Sequence, residues 1–259
     1  MTWFTPDRGL ETLRGEIALQ RKAIAATPPD ATVPMCPGWT VTDLAVHVAG
    51  VYRWVGTMVS ASRDRPPNRD ERRELFSDPD PTDVVGVLAR LDEAADRILA
   101  TLAEAQDSQS CWTIWDTGRP ARHFWIRRML HETLVHRVDA QNALDGHPTS
   151  GADLDREPAA DGVDEIMCGF AARYEATLRT DSECVLAVRA IDVEAAWWAA
   201  LGPEAPTFGR GEPPRAADLT VSGQSGELLL WLWNRRDAAG LDSRGDAGLL
   251  TTWRAGAHL

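Results

Sequence analysis

The chain has 259 residues, 44% hydrophobic and 25% charged, and a formal charge of −12. This length can bury the core of one large or two modest domains, and the composition carries no disorder signature. So acidic a balance argues against nucleic acid and anionic membrane as partners, because both require a basic patch.

Residues 1–11 include Asp7, Arg8 and Glu11 and lack the apolar core of an export signal, so a cytoplasmic location is expected. No apolar run approaches the length of a membrane span. The cysteines at 36, 111, 168 and 184 form no C-x-x-C and read as free thiols in a reducing compartment.

The first helix is predicted at about 7–27, stopped by Pro28-Pro29. The second, at about 40–62, follows a Pro37-Gly38 turn. Thr40 and Asp43 stand at capping-box spacing at its start. His47 shares a mainly apolar stripe with Leu44, Val51 and Trp54, so its side chain is expected to face the interior. Cys36, in the turn before this helix, reads as a small apolar residue rather than a nucleophile or ligand. The run from Arg63 to Arg73 is diluted by Asp64, Asp70 and Glu71, contains Pro66-Pro67, and is expected to be a solvated loop.

A third helix is expected at about 81–106 and a fourth at about 120–145, ended by Gly146-His147-Pro148. In the fourth, Glu132 and His136 lie four residues apart and therefore about 40° apart on the helical wheel. His131 is about 140° from His136, a poor co-ligand. The metalloprotease pattern H-E-x-x-H also fails, since Val135 stands four after His131. Glu132 and His136 belong to a partly apolar stripe with Trp125, Met129 and Asp139. Buried carboxylates need a partner or an ion, so the His47 and Glu132/His136 stripes require each other or a metal. Four helices of this length suggest a bundle, an architecture that builds metal sites from inward-facing side chains.

After a Gly/Ala/Asp/Pro-rich linker at about 148–162, the pattern changes. A helix is expected at about 163–179, then strands over Cys184 to Ile191, Ala195 to Leu201 and Asp218 to Ser222. Pro203 to Arg215, with four prolines and two glycines, reads as a loop. Amphipathic and terminal helices are expected over Gly226 to Arg235 and Leu249 to Ala257. The overall expectation is α+β: a helical bundle over residues 1–155 and a small α+β domain over 156–259. Trp197-Trp198, Trp231 and Trp233 are expected to pack its core or an interface, an aromatic ligand-binding wall being the alternative.

Three stretches resemble one family, in order along most of the chain. C-P-G-W-T-V-x-D-L-x-x-H-x-A-G at 36–50, R-x-x-H-E-x-x-V-H-R-x-D-A at 128–140 and G-Q-S-G-E-L-L-L-W-L-W-N-R at 223–235 are similar to motifs of the mycothiol-dependent maleylpyruvate isomerases. Gly245-Asp246 resembles a further recurring pair before the last helix. The resemblance implies a DinB-like bundle with a sterol-carrier-protein-like C-terminal domain. It implies His47, Glu132 and His136 as ligands of a divalent metal, zinc in the family, although the donor set also suits iron, nickel or manganese. It further implies mycothiol as thiol cofactor and Arg235 as the catalytic arginine facing the site. The family's glycine before that arginine is Asn234 here, a residue that still tolerates a left-handed helix stop, and Arg236 is the alternative.

Two imidazoles and one carboxylate leave an ion an open position where an incoming thiol ionises. The implied reaction adds thiolate to a cis double bond, allows rotation and eliminates to the trans product. Arg235 suits the substrate carboxylates, although a cation there also complements the end of a helix. Arg137 and Asp139 read as pairing groups, with Asp43 and Asp139 as candidates to orient the imidazoles. The expected function is thus an isomerase acting on a small electrophile. The alternatives are a mycothiol S-transferase and a non-catalytic binding protein that keeps the fold.

Overall fold

The computed structural model describes residues 5–170, 174 and 176–257, and the chain divides into two compact units, Phe4–His147 and a second from Pro148 onward. In the first, α1 (Pro6–Ala26) starts at a proline whose fixed φ suits a first helical turn, and the Thr5 hydroxyl caps it by accepting from Arg8 N. α2 (Val41–Ser60) opens on the expected capping box: Thr40 N donates to Asp43 Oδ2 at 2.8 Å and Asp43 N to Thr40 Oγ1 at 3.2 Å.

Sequence reading missed α3 (Arg69–Leu75), which begins inside the segment expected to be a loop and runs two residues past it. Its seven residues bury nothing, so no apolar period announces it; the Asn68–Glu71 capping box holds its start instead. α4 (Val84–Glu104) is capped by Asp83, and α5 (Ala121–Asp145) follows Pro120 and ends at Gly146 with φ 68°. α1 packs chiefly on α5 and α2 on α4, while α2 also meets α5. Consequently α5 is buried around almost its whole girth from Arg128 to Ala140, not along one stripe, and Trp125, Leu130, Leu134 and Val138 are sealed from solvent.

The second unit carries helices on a five-stranded sheet. Its strands are β1 (Cys184–Ala190), β2 (Ala195–Leu201), β3 (Thr207–Arg210), β4 (Leu219–Gly223) and β5 (Asp242–Gly245), in spatial order β3-β2-β1-β4-β5. Only the β1–β4 pairing is parallel. β2 shows why it is a strand: Ala195, Trp197, Ala199 and Leu201 are buried while the residues between them are half-buried. β3 lies inside the stretch expected to be a loop, its four residues falling between the prolines at 206 and 213.

α6 (Arg156–Asp164) begins within the stretch read as a linker, and its Pro158, Ala159, Ala160 and Val163 are buried. It continues through a π-helical turn, Glu165–Gly169; part of the helix expected at 163–179 lies outside the described residues. α7 (Ser225–Leu232) packs on α6 and touches β1 and β4, and its unbroken run Leu228 to Leu232 is buried rather than amphipathic. α8 (Gly248–Gly256) completes the unit, with Trp253 buried against Trp231. The architecture is α+β, as expected, and no described helix is long and apolar enough to cross a membrane.

Candidate active site

The turn before α2 is tight: Trp39 N donates to Cys36 O at 3.0 Å and Gly38 adopts φ 84°, which a residue with a side chain rarely accepts. This geometry places Trp39 against His47, with ring centroids 4.8 Å apart. His47 on α2 then meets Glu132 and His136 on α5. Glu132 Oε1 lies 3.4 Å from His47 Nε2 and 3.3 Å from His136 Nε2, so one carboxylate oxygen addresses both imidazoles. The three donor atoms all lie within 4.8 Å of one another. His47 is less enclosed than its apolar stripe suggested, with 27% of its side chain exposed.

His136 is held from behind by Asp139, whose Oδ2 is 2.9 Å from Nδ1. Burial disfavours the imidazolium, but Asp139 and Glu132 outweigh it and raise the His136 pKa to about 9. Burial likewise opposes ionisation of Glu132, yet Arg128 and the two histidines hold its carboxyl well below the usual range. Arg128 is one turn before Glu132, is 5% exposed, and donates from Nη2 to Glu132 Oε2. Sequence reading gave Arg128 no role, although its i,i+4 spacing to Glu132 was the available signal.

The two candidate orienting aspartates separate. Asp139 does orient His136, and its Oδ2 also accepts from Cys36 Sγ at 3.6 Å. Asp43 does not, because Oδ2 is occupied by the backbone N and hydroxyl of Thr40. Arg137 points to the other side of α5 and pairs with Glu16 on α1. His131 is fully buried and is not one of the three converging groups.

A buried polar chain ties together the two helices that carry the triad. Tyr52 on α2 donates to Gln20 Oε1 of α1 at 3.0 Å and shares a 2.8 Å hydrogen bond with the hydroxyl of Thr133, the neighbour of Glu132. Gln20 Nε2 closes the loop on Thr133 O at 3.2 Å. Tyr52→Phe leaves the buried Gln20 Oε1 without this donor, and urea unfolding should show a loss of about 1–3 kcal/mol. A change below about 0.3 kcal/mol would mean that the network contributes nothing net.

In the second unit, Asn234 has φ 57°, the left-handed stop expected of the residue replacing glycine. Asn234 N bonds to Trp231 O and Arg235 N to Leu230 O, the paired closure of a Schellman motif that ends α7. Arg235 donates to Trp233 O and lies over the Trp233 ring, whereas Arg236 is tied to Glu227 and Thr149 O. Trp197 is a core residue whose ring N–H donates to Asp164.

A helical unit with converging His, Glu and His side chains, followed by a five-stranded α+β unit, defines a narrow class. The family description "Mycothiol maleylpyruvate isomerase N-terminal domain" matches residues 10–141, and that family's C-terminal domain matches residues 157–252. The chain belongs to the mycothiol maleylpyruvate isomerase family. Its fold is similar to crystal structures of the mycothiol-dependent maleylpyruvate isomerase and of a histidine-to-alanine variant of that enzyme. The TM-scores are 0.65 and 0.67, at 13% identity in both cases, covering 95% of this chain and 97% of those. No curated protein sequence matches the chain significantly.

Proposed function

We propose that this protein is a metal-dependent, mycothiol-using enzyme of the maleylpyruvate isomerase type, acting on a small electrophile. The observation that carries the reading is the convergence of His47 Nε2, Glu132 Oε1 and His136 Nε2, in a chain whose family and similarly folded structures bear that name. In this reading His47, Glu132 and His136 are the ligands of a divalent metal, taken as zinc. Two imidazole nitrogens and a carboxylate oxygen from facing helices are a donor set that zinc accepts. A bound ion with an open position supplies an electrophilic centre at which a thiol ionises near neutral pH.

The chain's own residues prepare that position. Asp139 accepts from His136 Nδ1 and so turns Nε2 toward Glu132. Arg128 keeps Glu132 ionised. Arg235 is assigned to the substrate's carboxylates, because a guanidinium binds them in bidentate fashion at any working pH.

Metal analysis of protein purified without chelator tests the reading. The expected result is one metal per chain, absent from His47→Ala and His136→Ala; a metal-free wild type overturns it. Incubation with mycothiol and maleylpyruvate then separates the activities. Fumarylpyruvate with mycothiol regenerated indicates an isomerase, and a stable thioether indicates the transferase alternative.

The site's protonation gives a further expectation. In the metal-free protein His136 titrates at about 9, above its ordinary 6.5. Its stabilising contribution is therefore complete below pH 6.5 and is lost as the pH rises through about 9. Metal uptake runs the opposite way, since it must displace the proton on Nε2. Calorimetric zinc titration in buffers of differing ionisation enthalpy should show release of about one proton at neutral pH. Uptake with no proton released would show that His136 is neutral beforehand.

A further inference from the structure

The two histidines of the triad are oriented by different means. His136 has a hydrogen-bonded carboxylate behind it, the usual device for fixing a ligating imidazole. His47 has none: its one hydrogen-bond partner among the described residues is Glu132, through Nε2. What surrounds the rest of the His47 ring is aromatic. Trp39 lies 4.8 Å away, Phe76 5.7 Å away at 49°, and the His136 ring 5.0 Å away edge-on.

Phe76 is itself held with care. It is the residue after α3 and lies against Gly50, one turn beyond His47 on α2. A Cβ at position 50 would fall 2.7 Å from Phe76 Cδ1 and 3.1 Å from its Cα, so only glycine admits the ring and its backbone there. Arg53, on the next turn of α2, donates from Nε and Nη2 to Leu75 O at 2.9 and 2.6 Å, and from Nη2 to Ser77 O at 3.2 Å. Both carbonyls flanking Phe76 are thus gripped by the helix that carries His47. Arg72 lies over the ring, its Cζ 5.4 Å from the centroid.

We infer that Phe76 is a positioning residue for His47: its ring, seated in the Gly50 notch and clasped through Arg53, does by packing what Asp139 does for His136 by hydrogen bonding. The inference rests on the metal-binding reading above. Without the ring, the imidazole can rotate about χ2, and Nε2 is no longer held toward Glu132. The same loss follows from Gly50→Ala, which leaves Phe76 intact but evicts it.

Cobalt(II) titration of the metal-free protein reads this directly, because visible ligand-field bands report the arrangement of the donors rather than turnover. Zinc affinity is measured alongside by competition with a chromophoric chelator. Wild type should show the bands and His47→Ala should lose them; failure of either removes the metal reading and this inference with it. With both satisfied, Phe76→Ala and Gly50→Ala should each change the bands and weaken zinc binding roughly 10-fold, the size typical of losing a group that orients a ligand. Phe76→Tyr, which keeps the ring, should restore both. Alanine favours a helix interior over glycine, so a loss in Gly50→Ala cannot be laid to a weaker α2. Wild-type bands and affinity in both alanine variants would overturn the role of Phe76 and leave the metal site standing.

Discussion

Glu132→Gln is expected to abolish stoichiometric metal binding and, separately, to destabilise the metal-free protein. The side chains are the same size, so the change removes charge and little else. One carboxylate oxygen faces both imidazoles at 3.3–3.4 Å while the other receives Arg128. An amide cannot serve both directions. If its oxygen faces the histidines, its NH2 meets the guanidinium, donor against donor; if it is flipped, the NH2 faces the histidines and offers no acceptor there, and in neither case does an anion remain. The metal-free variant should unfold more easily by about 3–5 kcal/mol, the scale for breaking a buried ion pair from one side. Adding Arg128→Met should recover most of that stability and none of the metal, so urea unfolding and metal analysis together separate the two roles of Glu132. A glutamine variant that keeps one tightly bound zinc would remove the carboxylate from the ligand set.

The second large effect lies on the opposite side of α5. Arg137→Ala strands Glu16, whose side chain is 9% exposed and accepts from Arg137 Nε at 2.5 Å. The expected loss is again about 3–5 kcal/mol in chemical unfolding. The double variant Glu16→Leu with Arg137→Met should lie close to wild type, because replacing a buried pair with apolar volume removes its desolvation cost along with its attraction. Metal content should not move in either case, since this pair faces α1. A single variant as stable as wild type would show that water reaches Glu16.

Much of this architecture could be read from residues whose physics is local. Thr40 and Asp43 announce the start of α2 because a capping box needs only four consecutive residues, and Asn234 announces a left-handed stop for the same reason. Glu132 and His136 share a face by helical period alone. What was illegible depended on distant partners or on weak patterns. α3 has no buried residue to betray it, and β3 is a four-residue strand enclosed by prolines. Asp43 and Asp139 look alike in sequence as candidates to orient a histidine. Only the fold shows that the first is used by Thr40 and the second by His136. Phe76 is the extreme case: it reaches His47 across 29 positions through a glycine that reads only as a weak point in a helix.

The chain of hydrogen bonds through Tyr52, Gln20 and Thr133 has a geometric consequence for how this site can vary. A hydrogen bond tolerates only a few tenths of an ångström of stretch before it weakens, so sliding α5 along α2 strains this network at once. Thr133 is adjacent to Glu132, and Tyr52 is five residues beyond His47, so the pin sits within a turn and a half of each helix's donor. Small adjustments of α5 therefore meet a stop before they retune the donor spacing. The spacing of His47 to Glu132 and His136 is thus held in part by bonds that touch none of the three, and a variant that breaks the pin should loosen it.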